Sequence, residues 1–226
     1  MKLDIFDAYN IRARLCPSII VLAPIPVTVF LCFADVISTE FSAVFLIILL
    51  AMANYIPLLQ RRLQAKQTIH NYAADFLSKS DTTFDSLTKN RYYAKLAELS
   101  DTFSALIRSD SSDEYSHCCE SAVIYLRNKT RDNHIVLEDN INLGFCKNML
   151  AGRKMGVAIC IAVLVLIAWY VLPQYASFSE IPVNYYLAFG LNLLLLIFWG
   201  IGINKNMLED ASKRYAQTLI SAIDTL

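Results

Sequence analysis

The sequence predicts an all-α integral membrane protein with four transmembrane helices, arranged two and two around a helical cytoplasmic lobe. Three observations predict this class. Of the 226 residues, 56% are hydrophobic; four long segments carry no charge; and the polar middle of the chain has the periodicity of helices. Soluble domains contain about 25% charged residues, against 18% here. The predicted parts are 1–59 (N-terminal arm and spans one and two), 60–154 (cytoplasmic lobe), 155–204 (spans three and four) and 205–226 (cytoplasmic tail).

The four uncharged segments have the length that a bilayer requires. A membrane helix needs about 20 apolar residues, with about 17 as the lower limit. The predicted spans are 16–34, 43–59, 156–172 and 187–203. Pro24 and Pro26 should kink the first span, because proline lacks an amide hydrogen and clashes with the preceding turn. A first segment that is only re-entrant is the alternative to four full crossings.

Basic residues are confined to one side of the predicted membrane. All 20 Lys and Arg lie outside the spans and outside the two short connectors, 35–42 and 173–186. Positive charge is retained on the cytoplasmic side, so both termini and the lobe are expected inside the cell. The cysteines avoid the connectors and imply no disulfide framework. The run His117-Cys118-Cys119 lacks the ligand spacing of a zinc site, and we expect no metal or cofactor.

The lobe is predicted to be helical throughout. The second span should continue inward without a break as far as Ser80. Thr82, with Asp85 three residues later, resembles a capping box for the next helix. One face of that helix should be apolar and the other charged. The apolar positions are Phe84, Leu87, Tyr92, Leu96, Leu99, Phe103 and Leu106, and the charged positions are Lys89, Arg91, Lys95 and Glu98.

The polar segment after residue 128 should run directly into the third span, because no linker separates them at Arg153-Lys154. A lobe joined to the membrane by continuous helices would transmit the binding of a ligand to the second and third spans. This pattern favours a sensor connected to a membrane element. The alternative is a lobe that merely folds beside its spans.

No catalytic motif is present, and we expect no catalytic residues. The spans hold no Asp, Glu, Lys, Arg or His, which argues against a coupled pump or a voltage sensor. A chain of four helices has no room for a pore of its own, so conduction would require a homo-oligomer, of four or five copies.

For such a pore we predict that Asn192 faces a central axis, with Asn54 as a second polar residue of the spans. Leu195 and Leu196 would include a gate that closes by dewetting. The alternative is that Asn192 bonds to a neighbouring helix, as Asn side chains in membrane spans commonly do.

Basic clusters in the lobe are the candidate ligand site. Arg127, Lys129 and Arg131 lie far from the spans in sequence, and Tyr92 accompanies a second cluster formed by Lys89, Arg91 and Lys95. Basic grooves with aromatic rings suit single-stranded nucleic acid or nucleotides. Basic residues next to spans are more often headgroup anchors, which is the expected role of Arg61, Arg62, Arg153 and Lys154.

The two-plus-two arrangement, with segments such as LTKNRYYAKLAEL, YLRNKTRDN and LEDNINLGFCKNMLAGRKMG, resembles the transmembrane effectors of bacterial anti-phage systems. The resemblance is greatest to effectors of the Hailong system, whose partner is a nucleotidyltransferase-like enzyme. It covers the architecture of the whole chain and is anchored by no catalytic motif.

This resemblance implies an oligomeric ion channel of the bacterial inner membrane. It also implies that single-stranded DNA oligomers made by the partner hold the channel closed, and that loss of the DNA on infection opens it and depolarises the membrane. Related effectors serve cyclic-nucleotide systems and retrons, so the ligand stays open. Two other functions also stay open: a membrane-anchored interaction protein without a pore, and a small transporter or membrane enzyme.

Overall fold

The computed structural model describes residues 8–33, 39–64, 70–108 and 113–226. Every regular element in these ranges is helical, which confirms the predicted all-α class. The α-helices are α1 Cys16–Leu22, α2 Pro24–Phe33, α3 Thr39–Gln64, α4 Tyr72–Leu77, α5 Ser86–Leu99, α6 Ala105–Arg108, α7 Asp113–Lys129, α8 His134–Val171, α9 Val183–Ile197 and α10 Lys205–Ser221. Two π-helices, Asn10–Leu15 and Phe198–Gly202, and three 3-10 helices, Asp101–Ser104, Phe178–Glu180 and Ala222–Thr225, complete the described part.

Among the described residues, two helices are long and apolar enough to cross a membrane: α8, and the helix Val183–Gly202 that joins α9 to its π-helix. A third candidate consists of Asn10–Leu22 and Pro24–Phe33, which are bent by 43° relative to each other. The bend falls immediately before Pro24, as predicted from the prolines. Within α3, the apolar stretch Phe45–Pro57 is shorter than the other candidates.

The chain divides into two compact units. The first contains Met1–Gln67 and Gly144–Met207, and the second contains Thr68–Leu143 and Leu208–Leu226. The predicted lobe, 60–154, is therefore longer at both ends than the second unit. The predicted tail, 205–226, is for the most part a component of that unit.

The C-terminal helix explains this difference. One face of α10 is buried in the second unit, including Leu208, Tyr215 and Leu219. The Thr218 hydroxyl donates a hydrogen bond to Asp139, with 2.5 Å between the oxygens. Apolar residues at helical spacing bury a continuous stripe, and this stripe fixes the tail to the unit.

Helical continuity differs at the two sequence joints. The prediction of an unbroken helix through 128–172 holds from His134 to Val171, because α8 is a single helix. The prediction of an unbroken helix from the second span to Ser80 is wrong, because Asn71 has non-helical dihedral angles and a new helix begins at Tyr72; the described part of α3 extends to Gln64. Asn competes with the helical backbone for hydrogen bonds and favours helix ends.

Helix α5 begins three residues later than the capping-box pattern predicts. Asp85 is the N-cap: its carboxylate accepts hydrogen bonds from the Thr88 amide at 2.9 Å and from the Thr88 hydroxyl at 2.6 Å. These bonds hold the pKa of Asp85 below its ordinary value. Leu87, in the first turn, is 80% exposed. The helix ends at Leu99 because Ser100 is extended, so the predicted apolar face does not continue in one helix.

Two apolar clusters fill the first unit. One lies where α1, α3, α8 and the π-helix Phe198–Gly202 meet, and its buried members are Val21, Leu22, Ala53, Ile56, Met149, Cys160, Trp199 and Ile203. The other lies between α2, α8 and α9, with Cys32, Val163, Ile167, Val171 and Ala188 buried. The Asn184 amide donates to the Leu31 carbonyl at 3.0 Å and so joins the start of α9 to α2.

Candidate functional site

Two basic residues in the last turn of α7 and one just after it form an open basic surface of the second unit, here called the basic surface. Arg127, Lys129 and Arg131 are all exposed. The Lys129 ammonium lies 5.7 Å from the centre of the Tyr125 ring, within cation–π distance. Among the described residues no carboxylate forms an ion pair with any of the three. The basic surface is therefore accessible to an anionic ligand.

Lys89 is not part of an open surface. It is 4% exposed, and its ammonium donates to the carbonyls of Ser78 and Asp81 at 2.5 Å each. The Asp81 carboxylate lies 3.6 Å away. Burial lowers the pKa of Lys89, and the charge of Asp81 opposes that shift. The prediction that Lys89 lies on the charged outer face of its helix was wrong, and its contacts are those of a structural residue that holds the loop 78–85.

The rest of the second predicted basic cluster is also committed to contacts within the unit. Tyr92 is buried, with its ring 5.7 Å from that of Phe84. Arg91 forms a bidentate ion pair with Asp224, at 2.7 and 3.0 Å, and Lys95 donates to the Asp224 carbonyl at 2.9 Å. In the structure, Arg91 and Lys95 bind the C-terminal segment, Lys89 binds the loop 78–85, and Tyr92 packs in the interior.

Asn192 is buried completely within a single chain. Its amide nitrogen donates to the Thr28 hydroxyl and to the Ala188 carbonyl, both at 2.8 Å, while its amide oxygen has no partner in the described residues. A side chain enclosed by its own chain does not face an axis between copies. The geometry is that of helix packing between α9 and α2, which was the alternative to the pore.

Replacement of Asn192 by leucine is accordingly expected to have a small effect. Bonds of this kind between membrane helices contribute about 0.6 kcal/mol on average. We expect a loss of that size in the free energy of unfolding and no further effect on the protein. A double-mutant cycle with Thr28→Val checks the assignment. Because both substitutions remove the same hydrogen bond, Asn192→Leu should lower the free energy of unfolding less in the Thr28→Val protein than in the unmodified one. Altered ion selectivity at unchanged stability would instead restore Asn192 to a pore.

The two predicted gate residues lie partly buried on the other side of α9. Leu195 and Leu196 pack against the cluster that contains Trp199. The exposed face of the same helix is a continuous apolar stripe, formed by Leu187, Leu191, Leu194, Phe198 and Ile201. Asn54 lies within α3, and its side chain falls outside the described part of the structure.

A series of buried hydrogen bonds connects three helical segments of the first unit. The Asn148 amide donates to the carbonyls of Ala13 at 2.6 Å and Gly144 at 3.1 Å. Gln60, also buried, donates to the Asn148 carbonyl at 3.3 Å, and its own side-chain oxygen has no partner among the described residues. Buried polar groups are costly without partners, so this series fixes the contacts of α3 and α8 with the N-terminal π-helix.

Trp199 lies in a slot made by two glycines of α8, here called the Trp199 slot. A Cβ atom on Gly156 would lie 2.4 to 2.7 Å from atoms of the indole, and one on Gly152 would lie 3.9 Å from it. Trp199 is fully buried, and its indole N–H has no hydrogen-bond partner in the described residues. A buried donor without a partner costs about 1–3 kcal/mol. The slot therefore combines close packing with an unfavourable polar group.

Arg153 completes this arrangement. Its Nε donates to the Trp199 carbonyl at 3.1 Å and its Nη2 to the Gly200 carbonyl at 2.5 Å. The sequence predicted a headgroup anchor at this position. The structure instead shows an arginine that binds the C-terminal end of the helix Val183–Gly202.

An apolar groove of about 520 Å³ lies between α2, α8 and the start of α9. Its lining includes Ile25, Val29, Phe33 and Val163, and none of its lining residues is charged. It therefore does not fit a phosphate-containing ligand.

Potential metal ligands do not cluster in the described residues, where no group of three or more His, Cys, Asp or Glu is found. Burial raises the pKa of Cys119 to about 11, so its thiol is protonated at neutral pH.

Comparison of the chain with protein-family models, with curated proteins and with solved structures found no match.

Proposed function

We propose that the protein is a ligand-controlled channel of the bacterial inner membrane, formed by several copies of a four-span chain. The second unit would be cytoplasmic and would bind an anionic oligonucleotide through the basic surface. By the resemblance to anti-phage effectors, the ligand is a single-stranded DNA oligomer supplied by a nucleotidyltransferase-like partner. Release of that ligand would open the channel and depolarise the membrane.

The observation that carries this proposal is the continuity of α8. The basic surface ends at Arg131, and α8 begins three residues later at His134 and continues as one helix to Val171, within the third predicted span. A helix transmits force and rotation along its axis, which a flexible linker does not. A ligand bound at the end of α7 therefore acts on the residues that precede a membrane helix directly.

The pore wall would be apolar. No Asp, Glu, Lys, Arg or His lies in the predicted spans, and the exposed side chains from Leu187 to Ile201 form an apolar stripe. Hydrophobic constrictions can stop ion flow by dewetting. A closed pore of this type needs only apolar side chains around the axis, and opening needs the helices to move apart or turn.

One observation favours a membrane-anchored interaction protein without a pore. Asn192, the one strongly polar side chain of the predicted span 187–203, is enclosed within its own chain, so the exposed side chains of that span are apolar. Measurement of ion flux distinguishes the two functions, because an anchor gives no flux under any ligand condition.

The four-span topology is tested by cysteine labelling of intact spheroplasts with a membrane-impermeant maleimide. We expect a cysteine placed at Ser177, between α8 and α9, to be labelled from outside, because the connector carries no Lys or Arg. A cysteine placed at Ser121, on the exposed face of α7, should be labelled only after lysis. Both are introduced into a chain whose six native cysteines are replaced. Labelling of Ser121→Cys in intact spheroplasts would contradict the topology.

Binding to the basic surface is tested with the full chain in lipid nanodiscs and a fluorescent single-stranded DNA oligomer. Each neutralised phosphate of a single strand contributes about −0.7 to the slope of log K against log salt concentration. Replacing Arg127, Lys129 and Arg131 with alanine should therefore weaken binding and reduce the slope by about 2. The matched control replaces Lys154, Lys205 and Arg214, which are also exposed, and should leave the slope unchanged. Equal effects in the two variants would show that only net charge matters.

A further inference from the structure

Helix α9 continues into the π-helix Phe198–Gly202, whose last carbonyls are bound by side chains as well as by the backbone. The Ile203 amide donates to the Phe198 carbonyl at 3.2 Å, the pattern of a π-turn. Arg153 binds the carbonyls of Trp199 and Gly200, and the side-chain amide of Asn204 donates to the Ile201 carbonyl at 3.3 Å. Helix ends leave carbonyls without backbone partners, and here α8 supplies two of the donors.

The same turn positions Trp199. Its indole fills the Trp199 slot on α8 and belongs to the buried cluster in which α1, α3, α8 and the π-helix meet. Any rotation of residues 198–202 about the helix axis moves this side chain out of the slot. The two attachments, one through the backbone carbonyls and one through the indole, therefore break together.

The turn is also where the chain leaves the first unit. Ile203 is extended, the Asn204 side chain accepts a hydrogen bond from the Met207 amide at 3.0 Å, and the second unit begins at Leu208. Only a few residues therefore connect the π-turn to α10, which is fixed in the second unit by its buried face. A movement of α10 reaches the π-turn through these residues.

We propose that Phe198–Gly202, Arg153 and the Trp199 slot form a two-state clamp at the C-terminal end of the helix Val183–Gly202. In the state described here Arg153 holds the π-turn and Trp199 fills the slot. In the released state Arg153 leaves the two carbonyls, the Gly202 amide replaces the Ile203 amide at the Phe198 carbonyl, and the turn becomes α-helical. The indole N–H, which has no hydrogen-bond partner among the described residues, favours release. The role of the clamp in gating rests on the channel proposed above.

Tryptophan fluorescence tests the clamp without reference to ion flux. The chain has two tryptophans: Trp199 is fully buried, whereas Trp169 is 73% exposed. In the Trp169→Phe protein, reconstituted as the full chain in lipid vesicles, emission comes from Trp199 alone. Acrylamide, a water-soluble quencher, should quench it weakly. Arg153→Met removes both hydrogen bonds that the guanidinium donates. It should increase the population with an open slot by at least about tenfold, since loss of even one hydrogen bond from a charged donor changes an equilibrium by about that factor.

The matched control is Lys154→Met, which removes the same charge from the next residue, an exposed one. It should leave quenching of Trp199 unchanged. Equal quenching in the two variants would overturn the clamp. Hydrogen exchange of the unmodified protein provides a measurement that needs no variant: the amides of residues 200–203 should exchange faster than those of residues 191–195. Equal protection of the two segments would also overturn it.

Ion flux from the same vesicles separates this proposal from the proposed function. Increased quenching in Arg153→Met with no flux in any variant supports the clamp and contradicts the channel. Unchanged quenching, with flux that still responds to a single-stranded DNA oligomer, contradicts the clamp and supports the channel. Increased quenching together with ligand-independent flux supports both.

Discussion

Replacing Lys89 with methionine is expected to destabilise the second unit by about 2–4 kcal/mol. The substitution removes the donor for the carbonyls of Ser78 and Asp81. It also leaves the Asp81 carboxylate without its cation. Breaking one side of a buried pair is costly because the remaining charge stays in place. Methionine keeps the length of the side chain, so the loss reports the ammonium and not a cavity.

Native-state hydrogen exchange of the full chain measures this effect. The amides of α4, α5 and α7 should lose protection together, because the loop held by Lys89 lies between α4 and α5 and the Lys79 amide donates to the Tyr115 hydroxyl of α7 at 2.9 Å. Lys95→Met is the control on the same helix, since Lys95 is partly exposed and its contacts among the described residues are with Asp224. Equal loss of protection in both variants would mean that burial of Lys89 is not what matters.

Replacing Gly156 with alanine is expected to reduce the free energy of unfolding of the first unit by about 1–3 kcal/mol. The new Cβ would lie 2.4 Å from the nearest atom of the Trp199 indole, well inside van der Waals contact. Trp199 is enclosed in the cluster of four helical segments, so the ring cannot move without disturbing its neighbours. Interiors are packed too closely to absorb such an overlap.

The control for this prediction is Gly190→Ala in α9, where a Cβ would meet no atom within 4 Å. It should be neutral or stabilising, because alanine is the better helix former. Thermal unfolding in detergent, followed by circular dichroism, compares the two. A double-mutant cycle with Trp199→Leu tests the cause: the cost of Gly156→Ala should fall when the ring is absent. An unchanged cost in that background would place the clash elsewhere.

Some patterns that depend on nearby residues were read correctly from the sequence. The apolar length of 156–172 predicted a helix long and apolar enough to cross a membrane. The lack of any break before it predicted that the polar segment joins it as one helix, which holds from His134. Pro24 and Pro26 predicted the 43° bend. Each of these depends on backbone geometry within a turn or two, which local sequence determines.

Lys89 shows where the sequence reading could have gone further. Tyr92, Tyr93 and Leu96 are buried and lie three, four and seven residues after Lys89. That spacing is a single helix face, so Lys89 belongs to the buried side by periodicity. Charge alone led to the opposite assignment. A buried lysine requires partners, and here they are backbone carbonyls, which no sequence pattern identifies.

The arrangement around Trp199 depends on contacts between distant residues. Gly152 and Gly156 are spaced as in the small-xxx-small pattern of close helix contacts, which was a usable signal in the sequence. The identity of the partner was not, because Arg153 and Trp199 are 46 residues apart. The burial of Asn192 against Thr28 was likewise one of two open interpretations, and only the relative position of α2 and α9 decides between them.

Ion flux from vesicles that contain the purified full chain tests the central claim most directly. The account predicts flux above that of empty vesicles, and a change in flux when a single-stranded DNA oligomer is present on the side of the second unit. Replacing Arg127, Lys129 and Arg131 with alanine should abolish the response to the oligomer while flux itself remains. Flux equal to that of empty vesicles, with and without the oligomer, would contradict the proposal that the protein is a ligand-controlled channel.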